Sequence, residues 1–322
     1  KSERMKVLAA FLLTVSAGVL PAYAGTLLVA RNGENTVVLM DDTTGAVLKT
    51  LPTGEGPHEI AVSADGRFAY IADSGAPTKP GNTITVINLA KRELARKFTL
   101  GEHQPHDLRV SADGKRLWVA CAPTQSVVEA DTATGALTRT WKTGVDGGWM
   151  LAASPDDRTL FVAHLEGGGL SRIDVASGKV TRAVTPKGEM GFDVAPKGGE
   201  VWAANSESSQ ISVVDARTDK LLSTFPSGGQ SPVRLKFTPD GRRVLVATAD
   251  KQLVVFDATM RKIIATLALE FRPKVIAVSG DGRQVFIGHP SDDKVSVVDL
   301  SSLKVLRTLT TGKRPDGIAW AP

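Results

Sequence analysis

Short apolar runs alternate along the chain with residues that favour tight turns, and no long stripe of helical spacing interrupts them. Residues 68–72 (FAYIA) and 211–214 (ISVV) are typical, because each is rich in β-branched or aromatic side chains and has Asp, Gly or Thr nearby. Such runs predict β-strands, and the intervening Asp-Gly and Thr-Gly pairs predict the turns that join them. The pattern therefore predicts an all-β fold.

One strand-turn unit recurs at a regular spacing. Residues 60–67 (IAVSADGR) resemble residues 108–115 (LRVSADGK), and a truncated copy, GIAW, stands at residues 317–320. The equivalent positions are separated by 48, 43, 41, 43, 41 and 42 residues, and they are Ser63, Ser111, Ser154, Ala195, Thr238, Ser279 and Ala321. This period predicts a β-propeller with four antiparallel strands in each blade.

The two ends of the repeat array complement each other. Residues 25–57 carry the second, third and fourth strands of a unit without a first strand, whereas the C-terminus supplies a first strand with nothing after it. Joining them completes a seventh blade and removes an open sheet edge. We therefore expect residues 25–322 to form a single seven-bladed propeller, closed by the N- and C-terminal strands.

The repeats resemble those of a known family. A Gly-x-x-Pro-x-x-Ile-Ala-Val-Ser-x-Asp-Gly-Arg segment, followed by a Tyr-Ile-Ala strand and later a Val-Ser-Val-Val-Asp strand, is similar to the YVTN-type repeat of exported bacterial propellers. The resemblance implies the propeller fold. Related propellers serve as binding platforms, lactone-hydrolysing enzymes or holders of tetrapyrroles, so the resemblance does not select a function.

Residues 5–24 have the pattern of a signal peptide, with a basic start at Lys6, an apolar run over 7–19 and a small-residue cleavage site at 22–24. Residues 1–4 then precede the natural start as added or upstream residues, and we expect a periplasmic or secreted protein. The formal net charge of +5 is spread without a basic run, so neither nucleic acid nor a membrane anchor is expected. With one cysteine, the chain has no internal disulfide, and we expect a monomer.

Propeller geometry places two sets of positions around one channel mouth. The first set ends the second strand of each blade and comprises Arg31, Asp73, Cys121, His164, Asn205, Thr248 and His289. The second set begins the innermost strand and comprises His58, His106, Trp149, Met190, Val233, Lys274 and Asp316. All five histidines fall on this face, including His103 on a connecting loop, whereas Asp-Gly turns occupy the opposite face.

Imidazole and thiolate are common ligands of zinc and copper, so this face is a candidate metal site. The candidate ligands, with zinc as the first candidate metal, are His58, His106, His164, His289 and Cys121. Glu59 and Asp107 follow two of these histidines and would orient the imidazoles or act as a general base. Trp149, Met190 and Arg31 are candidates for contact with a small ligand or cofactor.

Each of these residues also has a structural interpretation. Polar side chains collect at wet channel mouths, His164 and His289 can simply cap their strands, and residues 75–82 form either a lid or a neutral insertion. Three functions remain open. The first is a binding module for a small molecule, metal ion or protein partner; the second is a metal-dependent hydrolase of esters, lactones or phosphoesters; the third is tetrapyrrole binding through one mouth histidine.

Overall fold

The computed structural model describes residues 25–76, 78–101, 103–185, 189–195 and 198–322, without the side chains of 189, 190 and 194. The expected signal peptide and the four residues before it lie outside the described residues. Within the described ranges, 28 strands form seven antiparallel four-stranded sheets, the blades of a propeller. The predicted fold class is confirmed.

The strands of the first half of the chain follow the predicted repeat. They are β1 (Thr26–Arg31), β2 (Thr36–Asp41), β3 (Val47–Pro52), β4 (Pro57–Val62), β5 (Phe68–Ala76), β6 (Lys79–Asn88), β7 (Glu93–Thr99), β8 (Leu108–Val110), β9 (Arg116–Cys121), β10 (Ser126–Asp131), β11 (Leu137–Lys142), β12 (Gly148–Ala153), β13 (Thr159–His164), β14 (Leu170–Asp174) and β15 (Val180–Ala183). A single 3-10 turn, Ala122–Thr124, follows β9 within the described chain.

The second half repeats the same order. Its strands are β16 (Glu189–Val194), β17 (Glu200–Asn205), β18 (Gln210–Asp215), β19 (Leu221–Pro226), β20 (Pro232–Phe237), β21 (Arg243–Thr248), β22 (Gln252–Asp257), β23 (Lys262–Ala268), β24 (Val275–Val278), β25 (Gln284–His289), β26 (Lys294–Asp299), β27 (Lys304–Thr310) and β28 (Pro315–Ala321). Each blade from β4 onward takes four consecutive strands; we number these blades 1 to 6.

Blade 7 closes the ring as predicted. Its strand order is β28-β1-β2-β3, and β28 pairs antiparallel with β1 from Thr26–Ala321 to Ala30–Gly317. The hydrogen bonds of this pairing join the two ends of the described chain and cover the edge of β1 that would otherwise be exposed.

The core lies between the blades. The second and third strands of each sheet are buried on both faces, so their sequences are nearly continuously apolar rather than alternating. Trp118, Trp202 and Phe286 are fully buried on second strands and fill the space between neighbouring sheets. Each fourth strand faces solvent and is polar or mixed. This packing fixes the position of each innermost strand.

The two faces of the ring differ. On one face, a serine or threonine hydroxyl donates to the Asp of each Asp-Gly turn, as between Ser63 and Asp65 at 2.6 Å. That bond and the Arg67 amide hold the pKa of Asp65 down to about 2. The same bond recurs at Asp113, Asp240 and Asp281, so these carboxylates stabilise turns. At the end of the β5–β6 hairpin, Gly75 pairs with Pro80 and Ala76 pairs with Lys79.

No helix in the described part of the chain is long and apolar enough to cross a membrane.

Candidate functional site at the channel mouth

The first residues of the innermost strands surround a cavity of about 280 Å³ at the mouth of the channel. Five of the seven predicted ring positions line this cavity, namely His58, His106, Trp149, Val233 and Lys274. Asp316, the seventh-blade position, contacts two of them, and the side chain of Met190 lies outside the described residues. The remaining lining residues are Met150, Leu165, Glu166 and Arg234.

Three rings form an arc on one side of the cavity. The ring centroids of His58 and His106 are 4.1 Å apart, and those of His106 and Trp149 are 5.0 Å apart with an edge-to-face angle of 64°. The Trp149 indole Nε1 donates to the Glu166 carboxylate at 3.2 Å. The three residues come from blades 1, 2 and 3, so the arc exists only because the ring brings those strands together.

The tautomer of His106 is set by the backbone. Its Nδ1 lies 3.0 Å from the carbonyl oxygen of Trp149, and because a carbonyl only accepts, Nδ1 must carry the proton. A neutral ring then has a bare lone pair on Nε2. Burial, with repulsion from His58, lowers the pKa of His106 to about 3. His106 is therefore neutral at ordinary pH and can accept a hydrogen bond or bind a metal through Nε2.

His58 is neutral for a similar reason. Burial lowers its pKa to about 4, although the Asp316 carboxylate, 3.4 Å from Nε2, opposes this shift. Its Nδ1 is buried without a hydrogen-bond partner in the structure. The two neutral imidazoles give the arc weakly polar faces and edges rather than positive charge.

The opposite wall of the cavity is basic. Arg234 is 5% exposed and reaches across the channel from blade 5 to Glu59 on blade 1, at 2.8 Å. Its guanidinium also contacts Met150 Sδ at 3.1 Å and donates to the Lys274 carbonyl at 3.2 Å. The Lys274 ammonium pairs with Asp316 at 2.5 Å and remains 40% exposed. Arg234 thus lies at the bottom of the mouth cavity, and Lys274 places a partly exposed ammonium group at its rim.

Sequence reasoning did not single out Arg234. It stands one residue after the ring position Val233, in the register that Glu59 and Asp107 occupy in blades 1 and 2. Comparing the charges of this second register across the seven repeats would have paired Arg234 with Glu59.

The two candidate general bases are held by the protein itself. Glu59 is paired with Arg234. Asp107 is 1% exposed and accepts from the amides of Leu108 and Leu151 and from Arg109. Glu59 therefore links blades 1 and 5 across the channel, and Asp107 links the neighbouring blades 2 and 3.

His164 and His289 lie inside their own blades. His164 Nε2 is 2.7 Å from Ser171 Oγ, and His289 Nε2 is 2.9 Å from Ser296 Oγ. Asn205 makes the same contact with Ser212 at 2.8 Å, and all three second-strand residues are fully buried. These histidines occupy the position that asparagine fills in blade 4 and make its cross-strand hydrogen bond.

A pairing rule in the sequence could have found this contact. Where the second strand ends in Asp73, His164, Asn205 or His289, the contacting residue on the third strand is Thr85, Ser171, Ser212 or Ser296. Where the second strand ends in Arg31, Cys121 or Thr248, that third-strand position holds Val38, Val128 or Val254. The Asp, Asn and His ends therefore have hydroxyl partners at this third-strand position, whereas Arg31 and Thr248 donate instead to Thr36 Oγ1 and to the Gln252 carbonyl.

The candidate metal ligands do not converge as a set. The structure brings His58 and His106 together, but His164, His289 and Cys121 lie within blades 3, 6 and 2. Over the described ranges, no three His, Cys, Asp or Glu side chains form a group that could hold a metal ion. Burial raises the pKa of the Cys121 thiol to about 12, which disfavours the thiolate. Arg31 is held by Thr36 and Glu34 at the end of its strand.

Fold and cavity together define a seven-bladed β-propeller with a ligand-sized space at one channel mouth. Two family models match parts of the chain, "Cytochrome D1 heme domain" over residues 200–317 and "Lactonase, 7-bladed beta-propeller" over residues 29–152. Each match spans less than half of the chain, so they support membership of a propeller family without selecting one.

Curated relatives and solved structures agree with this placement. A WD repeat-containing protein, SL1-17 of Schistosoma mansoni, is 30% identical over 42% of the chain and 44% of its own length. The dihydro-heme d1 dehydrogenase of Pseudomonas aeruginosa is 26% identical over 32% of the chain and 21% of its own length. The chain thus matches less than half of either relative. A functionally unknown protein from Desulfotomaculum acetoxidans shares the fold, with a TM-score of 0.82 and 14% identity over 92% of this chain and 99% of that one.

Proposed function

We propose that this protein is an exported binding module, and that its mouth cavity holds a small organic anion with a planar apolar body. The observation that carries the proposal is the two-sided cavity, with the His58, His106 and Trp149 arc facing Arg234 and Lys274. The aromatic rings of the arc would stack on a flat unsaturated part of a ligand, and the two cations would bind an acidic group of that ligand. The apolar residues Met150, Leu165 and Val233 complete a lining typical of small-molecule sites.

Binding fits the site better than hydrolysis does. Glu59 and Asp107 are engaged in ion pairs and backbone hydrogen bonds, so neither is placed to accept a proton from a substrate or water. The export part of the proposal is supported by the signal-like pattern of residues 5–24, which is typical of proteins of the periplasm or the cell exterior.

A titration with naphthoate and its neutral amide tests the proposal. Both probes have the same flat body, and only naphthoate can pair with Lys274. We expect naphthoate to quench the Trp149 fluorescence and to bind roughly tenfold or more tightly than naphthamide, the value of one charge-assisted hydrogen bond. Lys274→Gln should abolish this preference.

Lys304→Gln is the matched control, because Lys304 lies exposed on the outer strand of the same blade and its loss changes net charge equally. Trp149→Phe identifies which tryptophan reports binding. Equal affinity for acid and amide in the wild type, or binding of neither probe, would show that the cavity does not take organic anions.

A tetrapyrrole is a second candidate, favoured by the "Cytochrome D1 heme domain" match, which covers Val233, Arg234 and Lys274. The residues fit such a group: His106 offers a neutral imidazole with a fixed tautomer, and the two cations suit carboxylate substituents. At about 280 Å³, the cavity would enclose part of a macrocycle. A bound haem would supply redox chemistry at iron.

Haem addition followed by visible spectroscopy tests this candidate. We expect the wild type and His289→Asn to develop the same absorbance band, and His106→Gln to lose it, since His106 would bind the iron. A band of unchanged position and intensity in His106→Gln, or no band in the wild type, would remove the candidate.

A further inference from the structure

A second cavity, of about 240 Å³, lies deeper in the channel. Its lining includes the β4 residues from Glu59 to Val62, and Val62 is the last residue of that strand. The cavity therefore extends toward the face of the ring that carries the Asp-Gly turns. Arg234 and Met150 line both cavities, whereas Glu59, the ion-pair partner of Arg234, lines only this one. We call this space the inner cavity.

The lining of the inner cavity is positively charged. Its ionisable residues are Arg109, Arg234, Lys236 and Glu59. Glu59 is paired with Arg234, and Asp107 is paired with Arg109 at 2.7 Å. Asp107 and the Leu108 carbonyl both engage Arg109 through Nη1, so the donors that face the space come from the other nitrogens of Arg109 and from Lys236. Their side chains are 26% and 25% exposed, although they belong to strands that line the channel.

The nearby carboxylates lie in the wall rather than in the lining. Asp107 is 1% exposed and is engaged by two backbone amides as well as by Arg109. Asp193 accepts the Phe237 amide at 3.0 Å, and its other oxygen is 3.7 Å from the Lys236 ammonium. That distance exceeds a hydrogen bond, so Lys236 keeps donors for a ligand.

The positively charged groups of this lining also repel one another. Burial lowers the pKa of Lys236; among the neighbouring charges, Asp193 and Asp107 raise it, whereas Arg109 and Arg234 lower it further. This mutual repulsion is what an anion between the cations would relieve.

We infer that the inner cavity is a binding site for a small inorganic oxyanion of the phosphate or sulfate class. The Arg109 guanidinium on β8 of blade 2 and the Lys236 ammonium on β20 of blade 5 line the same cavity from different sides of the channel, so they can donate to separate oxygens of a tetrahedral anion. Glu59 holds Arg234 toward the mouth, which leaves Arg109 and Lys236 as the principal donors. The site is independent of the ligand proposed for the mouth cavity.

Calorimetric titration of the full chain with inorganic phosphate, at constant ionic strength in a chloride buffer, tests this inference. We expect saturable phosphate binding and a phosphate-dependent rise in melting temperature that added chloride does not produce. Lys236→Met should weaken phosphate binding roughly tenfold or more, since it removes a charge-assisted hydrogen bond. Lys236→Arg should retain binding because it keeps the charge.

Three controls decide where the anion binds. Lys304→Met, on an outer strand, and Lys274→Gln, at the mouth, should both leave phosphate affinity unchanged. Lys236→Gln keeps a polar group beside Asp193 and serves if Lys236→Met fails to fold. The inference is overturned if the wild type shows no phosphate binding above chloride, if Lys236→Met and Lys236→Gln bind phosphate as the wild type does, or if Lys274→Gln causes the loss.

Discussion

His58 and His106 begin two neighbouring inner strands, and burial keeps both imidazoles neutral even though carboxylates lie close by. Each ring therefore contributes a polar edge without adding positive charge to the Arg234 and Lys274 wall. The neutral state has a cost, because in the unfolded chain the same histidines would bind protons near pH 6.5. The chemistry of the mouth and the acid stability of the protein are thus linked through the same side chains.

Acidification should destabilise the protein. The folded pKa values of His58 and His106 are about 4 and about 3, so between these values and about pH 6.5 the unfolded state binds more protons. Each histidine then lowers the free energy of unfolding by up to about 1.4 kcal/mol for each pH unit of acidification in this window.

Urea unfolding from pH 7.5 to pH 4.5 measures this effect, and His106→Gln should give a shallower dependence on pH than the wild type. The comparison uses slopes, so a general loss of stability in the variant does not affect it. Stability that is constant or rises on acidification would contradict the neutral, buried state of these rings.

At the scale of single elements, a cross-strand contact links the end of each second strand to the third strand. Four blades use a polar residue and a hydroxyl, as in His164 and Ser171, and three blades have valine at the third-strand position, as in Val128 beside Cys121. Since both positions are buried in those four blades, the polar group needs a partner, and the hydroxyl supplies it; the buried Thr248, opposite Val254, donates instead to the Gln252 carbonyl. This requirement accounts for two of the five histidines without any ligand.

A double-mutant cycle at His164 and Ser171 tests this structural role. His164→Asn should be well tolerated, because Asn205 makes the same contact with Ser212. His164→Val should cost about 1–3 kcal/mol, since it leaves the buried Ser171 hydroxyl without its partner. His164→Val combined with Ser171→Val should recover much of that loss, as the apolar Cys121 and Val128 pair of blade 2 suggests.

Thermal and urea unfolding of the four proteins give the coupling energy. Additive losses from His164→Val and Ser171→Val would show that the contact contributes nothing, and the histidine would again need a functional explanation.

At the scale of the whole molecule, the ring closes through β28 and β1 and brings together residues that are far apart in the chain. Arg234 reaches Glu59 across 175 residues of sequence, and Asp316 reaches both His58 and Lys274. Within the closed ring, the channel contains a mouth cavity with an aromatic arc and an inner cavity lined by basic residues.

The repeat period predicted the blade number, the strand order and the closure, because turn chemistry and apolar runs are local properties of the sequence. The ring of inner-strand positions was also predictable, since every blade presents the same register to the axis. The sequence did not predict which of these side chains come together. His164, His289 and Cys121 share a face of the ring with His58, but their side chains point into separate blades. The repeat period and strand register predict where a residue lies along the channel axis and on which face of the ring. Its side-chain contacts depend instead on packing within its own blade.

Imidazole-nitrogen NMR during a naphthoate titration tests the central claim most directly, because the chain has only five histidines. We predict that the ring nitrogens of His58 and His106 shift along one saturable curve, while those of His164 and His289, bonded to serines inside their blades, stay unchanged. Shifts confined to His164 and His289, or no histidine shift while naphthoate binds, would contradict a ligand site at the channel mouth.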